Sequence, residues 1–541
     1  MKIASTIAYF VGLVTFITFS EVAEPAPTFT KMVPMRDGIK LATDVYLPQG
    51  KGPWPAIFIT TPYGKSSVSP WALIANQRGY AFVAQDFRGR FDSEGVDYPV
   101  FLSCGWVKHQ DGYDSIEWIA SQEWCNGKVG TIGISAPAIA QNMMAPNNPP
   151  HLVCQYVVVA FSNSYYQCAY QGGAFRKDLW ERWLKECEFS PQTMQLTREN
   201  PDYNGFWELY NTERVANQVN APSMYVGGWY DIFNAGTINS FVTVHKGGGN
   251  GARGKCRLVM EAYGHGRNEE LIFPDTNRPK TADLSFWLDW FDIWMKNDGK
   301  GLEDIPVVQY FVMGDPEDKA HANIWKTADD WPIPAKITPF YFIPDGTLKT
   351  EPHNEPDSSL SYKYDPKDPV PTLGGMNLFD PKGPTDQRSN EKRSDVLVFT
   401  SETLDRPMEV TGAVKVKLWA SSTALDTDFT AMLCDVYPDG RSILVTDGII
   451  RACHRSSMEK RELMEPGKIY EFEIDLWNTS IVFSKGHKIR VLLSSSNSPR
   501  FEPNPNTGKP SGMDDETVIA ENTIYLNSKY PSHILLPIVT W

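Results

Sequence analysis

Short, nearly unbroken apolar runs alternate with helical spacing over the first third of the chain. Trp54–Thr60 and Tyr80–Ala84 are two such runs, each preceded by glycine or a Gly-Pro pair. Asp111–Trp124 then places Ile116, Ile119 and Ala120 on one helical face, and Val129–Ile134 and His151–Phe161 return to apolar runs. Short apolar runs between turns predict strands buried on both faces. Strands that alternate with helices predict a parallel sheet covered by helices. Residues 28–162 therefore read as the first part of an α/β unit.

The rhythm breaks over 163–219. Tyr165, Tyr166, Tyr170, Phe175, Trp180, Trp183, Phe206, Trp207 and Tyr210 crowd a segment of helical character. This predicts an inserted helical cap, with most of its aromatics packing on one another. Ser223–Val226, Lys255–Ala262 and Val307–Met313 resume the strand pattern over 220–335, with a helix at 283–295 whose tryptophans read as core. From 336 to 541 helical spacing fades. Val396–Phe399, Ala413–Trp419, Phe429–Val436, Ile443–Val445, Tyr470–Ile474, Lys488–Ser494 and Thr523–Leu526 are strand-like. Turns such as Pro438-Asp439-Gly440 lie between them, which predicts a β-sandwich of jelly-roll type. The Pro- and Asp-rich stretch at 352–390 reads as loop.

At 541 residues the chain exceeds one ordinary core. A net charge of −14 without a long basic run argues against nucleic acid or an acidic membrane surface as partner. Lys2 precedes an apolar stretch from Ile3 to Phe19, and Thr18 and Ser20 occupy the small positions before a cut. This predicts a signal peptide over 1–20 and a secreted or periplasmic protein with no membrane span in its mature part. An uncleaved anchor is the alternative. The eight cysteines permit disulfides, with Cys168–Cys187 and Cys104–Cys125 as local candidates; Cys154 and Cys256 also fit as small core residues. No Cys-x-x-Cys spacing occurs, so no metal site is expected.

Candidate chemistry centres on Ser135. Val129–Ile134 leads into it, Gly133 stands two places before it, and Ala136-Pro137-Ala138-Ile139-Ala140 follows. That is the outline of a nucleophile elbow, a tight strand-to-helix turn that lifts a serine hydroxyl above a sheet. A serine hydroxyl needs a base, and the base needs a partner to fix its tautomer. In sheet hydrolases the chain order is serine, acid, histidine. Asp231 follows the strand at Ser223–Val226, and His265 follows Lys255–Ala262 between two glycines. Asp231 also fits as the cap of a helix starting near Asn234. Attack on a carbonyl calls for an oxyanion hole. The Ala136 amide is one candidate donor and the Tyr63 phenol the other, with a structural tyrosine as the alternative. Trp183, Trp229 and Phe233 are candidate pocket residues.

These residues resemble the family of serine hydrolases that contains cocaine esterase, α-amino-acid ester hydrolases, glutaryl cephalosporin acylases and X-prolyl dipeptidyl aminopeptidases. The resemblance spans Thr61-Pro62-Tyr63, Gln85-Asp86-Phe87-Arg88-Gly89, Ser93-Glu94-Gly95, Asp111-Gly112-Tyr113-Asp114, the elbow, Gly228-Trp229-Tyr230-Asp231 and the His265 loop. It continues through Asp426-Thr427-Asp428-Phe429-Thr430 and Ser494-Ser495-Ser496-Asn497. It implies an α/β-hydrolase fold with an inserted helical cap and a C-terminal β-sandwich (jelly roll) domain. It implies Ser135 as nucleophile, His265 as base and Asp231 as its partner, with Tyr63 and Ala136 as the oxyanion site and no cofactor. Asp86 and Arg88 look catalytic in isolation, but their place in a strand-end turn suggests a structural ion pair. One departure stands out: the family carries a bulky aromatic after the serine and a glycine three places after it. Here those are Ala136 and Ala138, which should widen the space beside the nucleophile.

The expected activity is cleavage of an ester or amide bond through an acyl-enzyme on Ser135, in a secreted serine hydrolase. An X-Pro dipeptidyl-peptidase, which needs an anionic pocket for a free α-amino group, and a β-lactam side-chain acylase remain open. So does an inactive hydrolase whose sandwich holds carbohydrate. The expected partner is a small-molecule ester, amide or short peptide, with homo-oligomerisation undetermined.

Overall fold

In a computed structural model of the chain, residues 25–540 are described apart from Tyr98, residues 267–269, Ser511 and residues 513–515. The signal segment expected at 1–20 lies outside them. Ten strands form the first sheet: β1 (Phe29–Pro34), β2 (Lys40–Tyr46), β3 (Trp54–Thr61), β4 (Ala81–Asp86), β5 (Cys125–Ile134), β6 (Leu152–Val158), β7 (Ser223–Tyr230), β8 (Arg257–Gly264), β9 (Val308–Gly314) and β10 (Ile324–Ala328). They pair in the order β1–β2–β4–β3–β5–β6–β7–β8–β9–β10. Every pairing from β4 through β9 is parallel, while β2 runs antiparallel to β4 and β10 to β9.

The two faces of this sheet separate by the alternation of side chains along each strand. In β3, Ile57 and Ile59 pack with Ala72 and Ala75 of helix α1 (Ser69–Gln77) and with Trp287, Trp290 and Phe291. Ala56 and Phe58 point the other way, into a cluster with Ile116 and Ile119 of helix α2 (Asp111–Ala120). Burial on both sides explains why these strands are continuous apolar runs. The helix expected at 283–295 is present as three successive pieces: a 3₁₀ turn at Leu284–Phe286, an α-turn at Trp287–Phe291 and a π-turn at Asp292–Lys296.

The cap over 163–219 is helical only in part. Two π-turns, Tyr165–Ala169 and Asp178–Arg182, flank a two-stranded hairpin of Tyr170–Gln171 and Ala174–Phe175. Its aromatics pack on one another, as expected. The Tyr165 ring lies 5.1 Å from that of Tyr170 and 5.5 Å from those of Tyr203 and Trp207.

The C-terminal part is two-layered and antiparallel apart from a short parallel pairing of Thr347 and Leu348 with Thr400 and Ser401. Lys336–Phe342, His533–Val539, Met408–Ser422 and Tyr470–Phe483 form one layer. Leu397–Ser401, Lys488–Ser494, Asp428–Val436 and Ser442–Arg451 form the other. Phe429 meets Phe472 and Phe342 meets Phe399 between them, each pair at 4.7 Å. The first sheet runs into this domain through a short parallel pairing of Met313 and Gly314 with Ile481 and Val482. Among the described residues, no helix is long and apolar enough to cross a membrane.

Three expectations need correction. The loop expected at 352–390 contains a strand, Ser359–Tyr364, paired with Ala520–Asn527. Its buried members, Tyr362 and Tyr364, alternate with polar residues and are hidden among Pro and Asp. All eight cysteines are free thiols. Cys104 and Cys125 sit in different packing clusters, and Cys168 is buried in the interior while Cys187 is only partly covered. Asp86 and Arg88 are both structural, but they do not pair with each other. Asp86 accepts from the Lys65 N–H (2.6 Å) and Lys65 Nζ (3.2 Å). Arg88 grips Asp111 (2.6 and 2.9 Å) and Asp37 (2.8 and 3.2 Å). β4 ends at Asp86 and the chain turns through Gly89 (φ 68°), which carries the two side chains to different partners.

Removing one member of a buried ion pair strands the other charge. Arg88→Met is expected to cost about 3 kcal/mol by leaving Asp111 unpaired, read as a lower urea midpoint of unfolding. An unchanged midpoint would show that Asp111 does not depend on this guanidinium.

Candidate active site

Ser135 follows the last residue of β5 and is the N-cap of helix α3 (Ala136–Met144). Its backbone sits at φ 61° and ψ −124°, which a non-glycine residue adopts only under constraint. The constraint is visible next to it. A Cβ on Gly133 would lie 2.5 Å from the Pro137 carbonyl carbon and 2.7 Å from its oxygen. Only glycine lets the strand and the helix start come this close. Pro137 suits the first turn, where its missing N–H removes a donor that would have no helical partner.

The parallel strands carry three loops to the same edge. β7 ends at Tyr230 and delivers Asp231; β8 ends at Gly264 and delivers His265. His265 Nε2 lies 2.9 Å from Ser135 Oγ, and His265 Nδ1 lies 2.7 Å from Asp231 Oδ2. Asp231 is fully buried and His265 is 7% exposed, so water screens neither contact well. The other carboxylate oxygen, Oδ1, accepts the Phe233 N–H at 2.7 Å. The helix cap weighed for Asp231 is not made: Phe233 is the N-cap of the helix Asn234–Gly247, which has no side-chain cap, and Asp231 Oδ1 instead closes the turn before it. The Phe233 ring meets the imidazole edge-on at 5.8 Å and limits its rotation.

The two groups expected to donate to an oxyanion are the Ala136 N–H and the Tyr63 hydroxyl. Among the described residues no acceptor takes the Ala136 N–H, whereas the Ala138 and Ile139 amides both donate to the Ser135 carbonyl. Tyr63 lies just beyond the end of β3, and its hydroxyl accepts from Trp183 Nε1 at 3.0 Å. Burial, reinforced by Cys187, holds this phenol well above its ordinary pKa, so it keeps its proton across the neutral range.

An apolar pocket opens beside Ser135 and Ala136. The hydrolase core supplies Phe101, Ile139, Ile232 and Phe233; the cap supplies Cys168, Leu179 and Trp183; the C-terminal domain supplies Leu378. The Cys168 thiol is pushed up to about 12 by burial and behaves as one more apolar wall. Of the three expected pocket residues, Phe233 and Trp183 line this space. Trp229 does not: its indole donates to the Phe311 carbonyl at 2.7 Å and packs on Trp331 in the core. It precedes Asp231 by two residues within β7, where the side chain is turned into the interior. Ile139, one helical turn past Ser135, and Ile232, next to Asp231, carried a spacing signal that sequence reasoning passed over. Phe101 and Leu378 carried none.

Comparison with known proteins agrees with this architecture. Residues 37–197 and 179–267 match the family model described as X-Pro dipeptidyl-peptidase (S15 family). Residues 300–535 match the X-Pro dipeptidyl-peptidase C-terminal non-catalytic domain. Cocaine esterase of Rhodococcus sp. (strain MB1 Bresler) is 33% identical, with 94% of this chain and 98% of that protein covered. The chain belongs to this family of serine hydrolases. In fold it is similar to an α-amino-acid ester hydrolase, with a TM-score of 0.80, 24% identity and coverage of 97% of this chain and 99% of the other. It is similar too to an aminopeptidase from a marine sediment archaeon, Thaumarchaeota archaeon, with a TM-score of 0.83, 23% identity and the same coverage. Both structures share the overall fold described above.

The Gly133 contact makes a direct prediction. Gly133→Ala should cost about 2 kcal/mol, because the obstacle is main chain and cannot swing aside. It should also slow ester turnover by misplacing Ser135. Thermal unfolding and p-nitrophenyl ester hydrolysis would be measured side by side. Wild-type values in both would mean that the elbow tolerates a methyl group.

Proposed function

We propose that the protein is an exported serine esterase that transfers a small apolar acyl group to Ser135 and then to water. The hydrogen-bonded series Asp231–His265–Ser135, at 2.7 and 2.9 Å, is the observation that carries this reading. In the first step His265 Nε2 takes the Ser135 proton as Oγ attacks the carbonyl carbon. Negative charge gathers on the carbonyl oxygen, where the Tyr63 hydroxyl and the Ala136 N–H donate to it. Asp231 holds the imidazole by Nδ1 and stabilises the imidazolium. As the tetrahedral intermediate collapses, His265 returns the proton to the leaving alkoxide and the alcohol departs. Water, deprotonated by the same imidazole, then attacks the acyl-enzyme and releases the acid with Ser135 restored.

The pocket favours an apolar acyl group over the alternatives. Among the described residues, none that lines it carries a charge. The free α-amino group of an X-Pro peptide or an α-amino-acid ester would find no carboxylate among the described lining residues, and an unpaired buried cation is costly. The apolar leader from Ile3 to Phe19 supports export. A carbohydrate-binding role for an inactive scaffold would leave the assembled Ser–His–Asp geometry without a use.

Ser135→Ala should lower kcat on p-nitrophenyl butyrate by about 10⁵-fold or more in a folded protein and abolish fluorophosphonate labelling. Labelling that persists in this variant would remove Ser135 from the chemistry. Tyr63→Phe should lower kcat by about 100-fold with little change in KM, the pattern of a donor that acts in the transition state. A change confined to KM would assign the phenol to ground-state binding instead.

A further inference from the structure

Arg176 lies in the cap directly after the Tyr170–Phe175 hairpin and is only 1% exposed. Among the described residues, no carboxylate lies within hydrogen-bond distance of it. Its Nη1 donates to the carbonyls of Gln167 (2.6 Å) and Ile232 (3.0 Å), and its Nη2 to the carbonyl of Met376 (3.2 Å). Its Nε–H has no acceptor among the described residues. The guanidinium lies 5.4 Å from the centre of the Trp477 ring. Burial, with Arg500 nearby, pulls its pKa down to about 9, so it remains charged at neutral pH.

A guanidinium buried without a counter-ion is less favourable than an apolar side chain of similar volume. Packing alone therefore does not explain Arg176. Its three acceptors do, because each belongs to a segment that supplies a wall of the apolar pocket. Gln167 precedes Cys168 in the cap. Ile232 is itself a wall and sits between Asp231 and Phe233. Met376 stands two residues before Leu378 in the C-terminal domain. The chain leaving Arg176 reaches a further wall at Leu179. Nothing in the covalent chain fixes the distances between these segments. A planar fork with donors splayed in set directions can.

We propose that Arg176 is the positioning residue of the acyl pocket: one guanidinium ties the cap, the Asp231 turn and the C-terminal domain at a common spacing, and that spacing selects the acyl chain Ser135 accepts. The inference rests on the reading of Ser135 as nucleophile and of this pocket as the acyl site.

The test uses the full chain and two variants. Arg176→Met keeps most of the volume and removes the donors and the buried charge. Arg176→Lys keeps the charge without the fork. Active sites are counted by fluorophosphonate titration, so that unfolded protein does not enter the rates. Values of kcat and KM are then measured for p-nitrophenyl acetate, butyrate, hexanoate and octanoate. The wild type should show a sharp optimum in chain length. Both variants should lose about 10- to 100-fold in kcat/KM at that optimum, and far less at the other lengths, which flattens the profile. A profile of unchanged shape in either folded variant, whether at full or uniformly reduced rate, would overturn the proposal. Failure of the wild type to label at Ser135 would overturn the nucleophile assignment beneath it, and is distinguishable because it precedes any comparison of variants.

Discussion

The site depends on one close approach, between the hydrogen face of Gly133 and the Pro137 peptide. With 2.5 Å available to a Cβ that does not exist, strand β5 and helix α3 meet at an angle no larger residue allows. That angle puts Ser135 in its positive-φ conformation and turns its hydroxyl out of the sheet. It also leaves the Ala136 N–H at the helix start without an acceptor among the described residues. Hydroxyl and amide therefore come from one steric fact. The parallel register then brings Asp231 and His265 to the same edge, because neighbouring strands that run the same way end together.

The C-terminal domain is more than an appendage to this core. Tyr230, the residue before Asp231, donates its hydroxyl to the Leu444 carbonyl at 2.8 Å, and Asn234 Nδ2 donates to the Asn478 carbonyl at 3.1 Å. Both contacts pin the turn that holds the acid. Leu378 closes the pocket from the same side. The matching family model is described as non-catalytic, and none of the hydrogen-bonded Ser–His–Asp series comes from this domain; in this chain it nonetheless supplies a wall of the apolar pocket beside Ser135. The cap completes the enclosure through Trp183, whose indole both lines the pocket and donates to the Tyr63 hydroxyl. One tryptophan thereby links the pocket wall to the Tyr63 hydroxyl.

Much of the central sheet was readable because both its faces are buried. β3, β5, β6, β7 and β8 are apolar runs for that reason, and their ends locate Ser135, Asp231 and His265. Strands with one solvated face were harder. β1 is mostly exposed and Ser359–Tyr364 hides its buried tyrosines among turn-forming neighbours, while β2, buried at every position but Lys40, breaks its apolar run with Thr43 and Asp44. The pocket was readable only where a wall lies beside a motif. Phe233 follows Asp231, so proximity in sequence served. Trp229 is as near to Asp231 but points into the core.

The order of chemical groups along the chain was determined by the sequence alone, because strand, turn and helix signals are local and the parallel sheet converts their order into place. The tertiary structure decided what surrounds those groups. Leu378, Phe101 and Arg176 reach the site, or its walls, from segments whose local patterns carry no sign of it. Their positions follow from the packing of distant surfaces, and short-range periodicity holds no record of that packing.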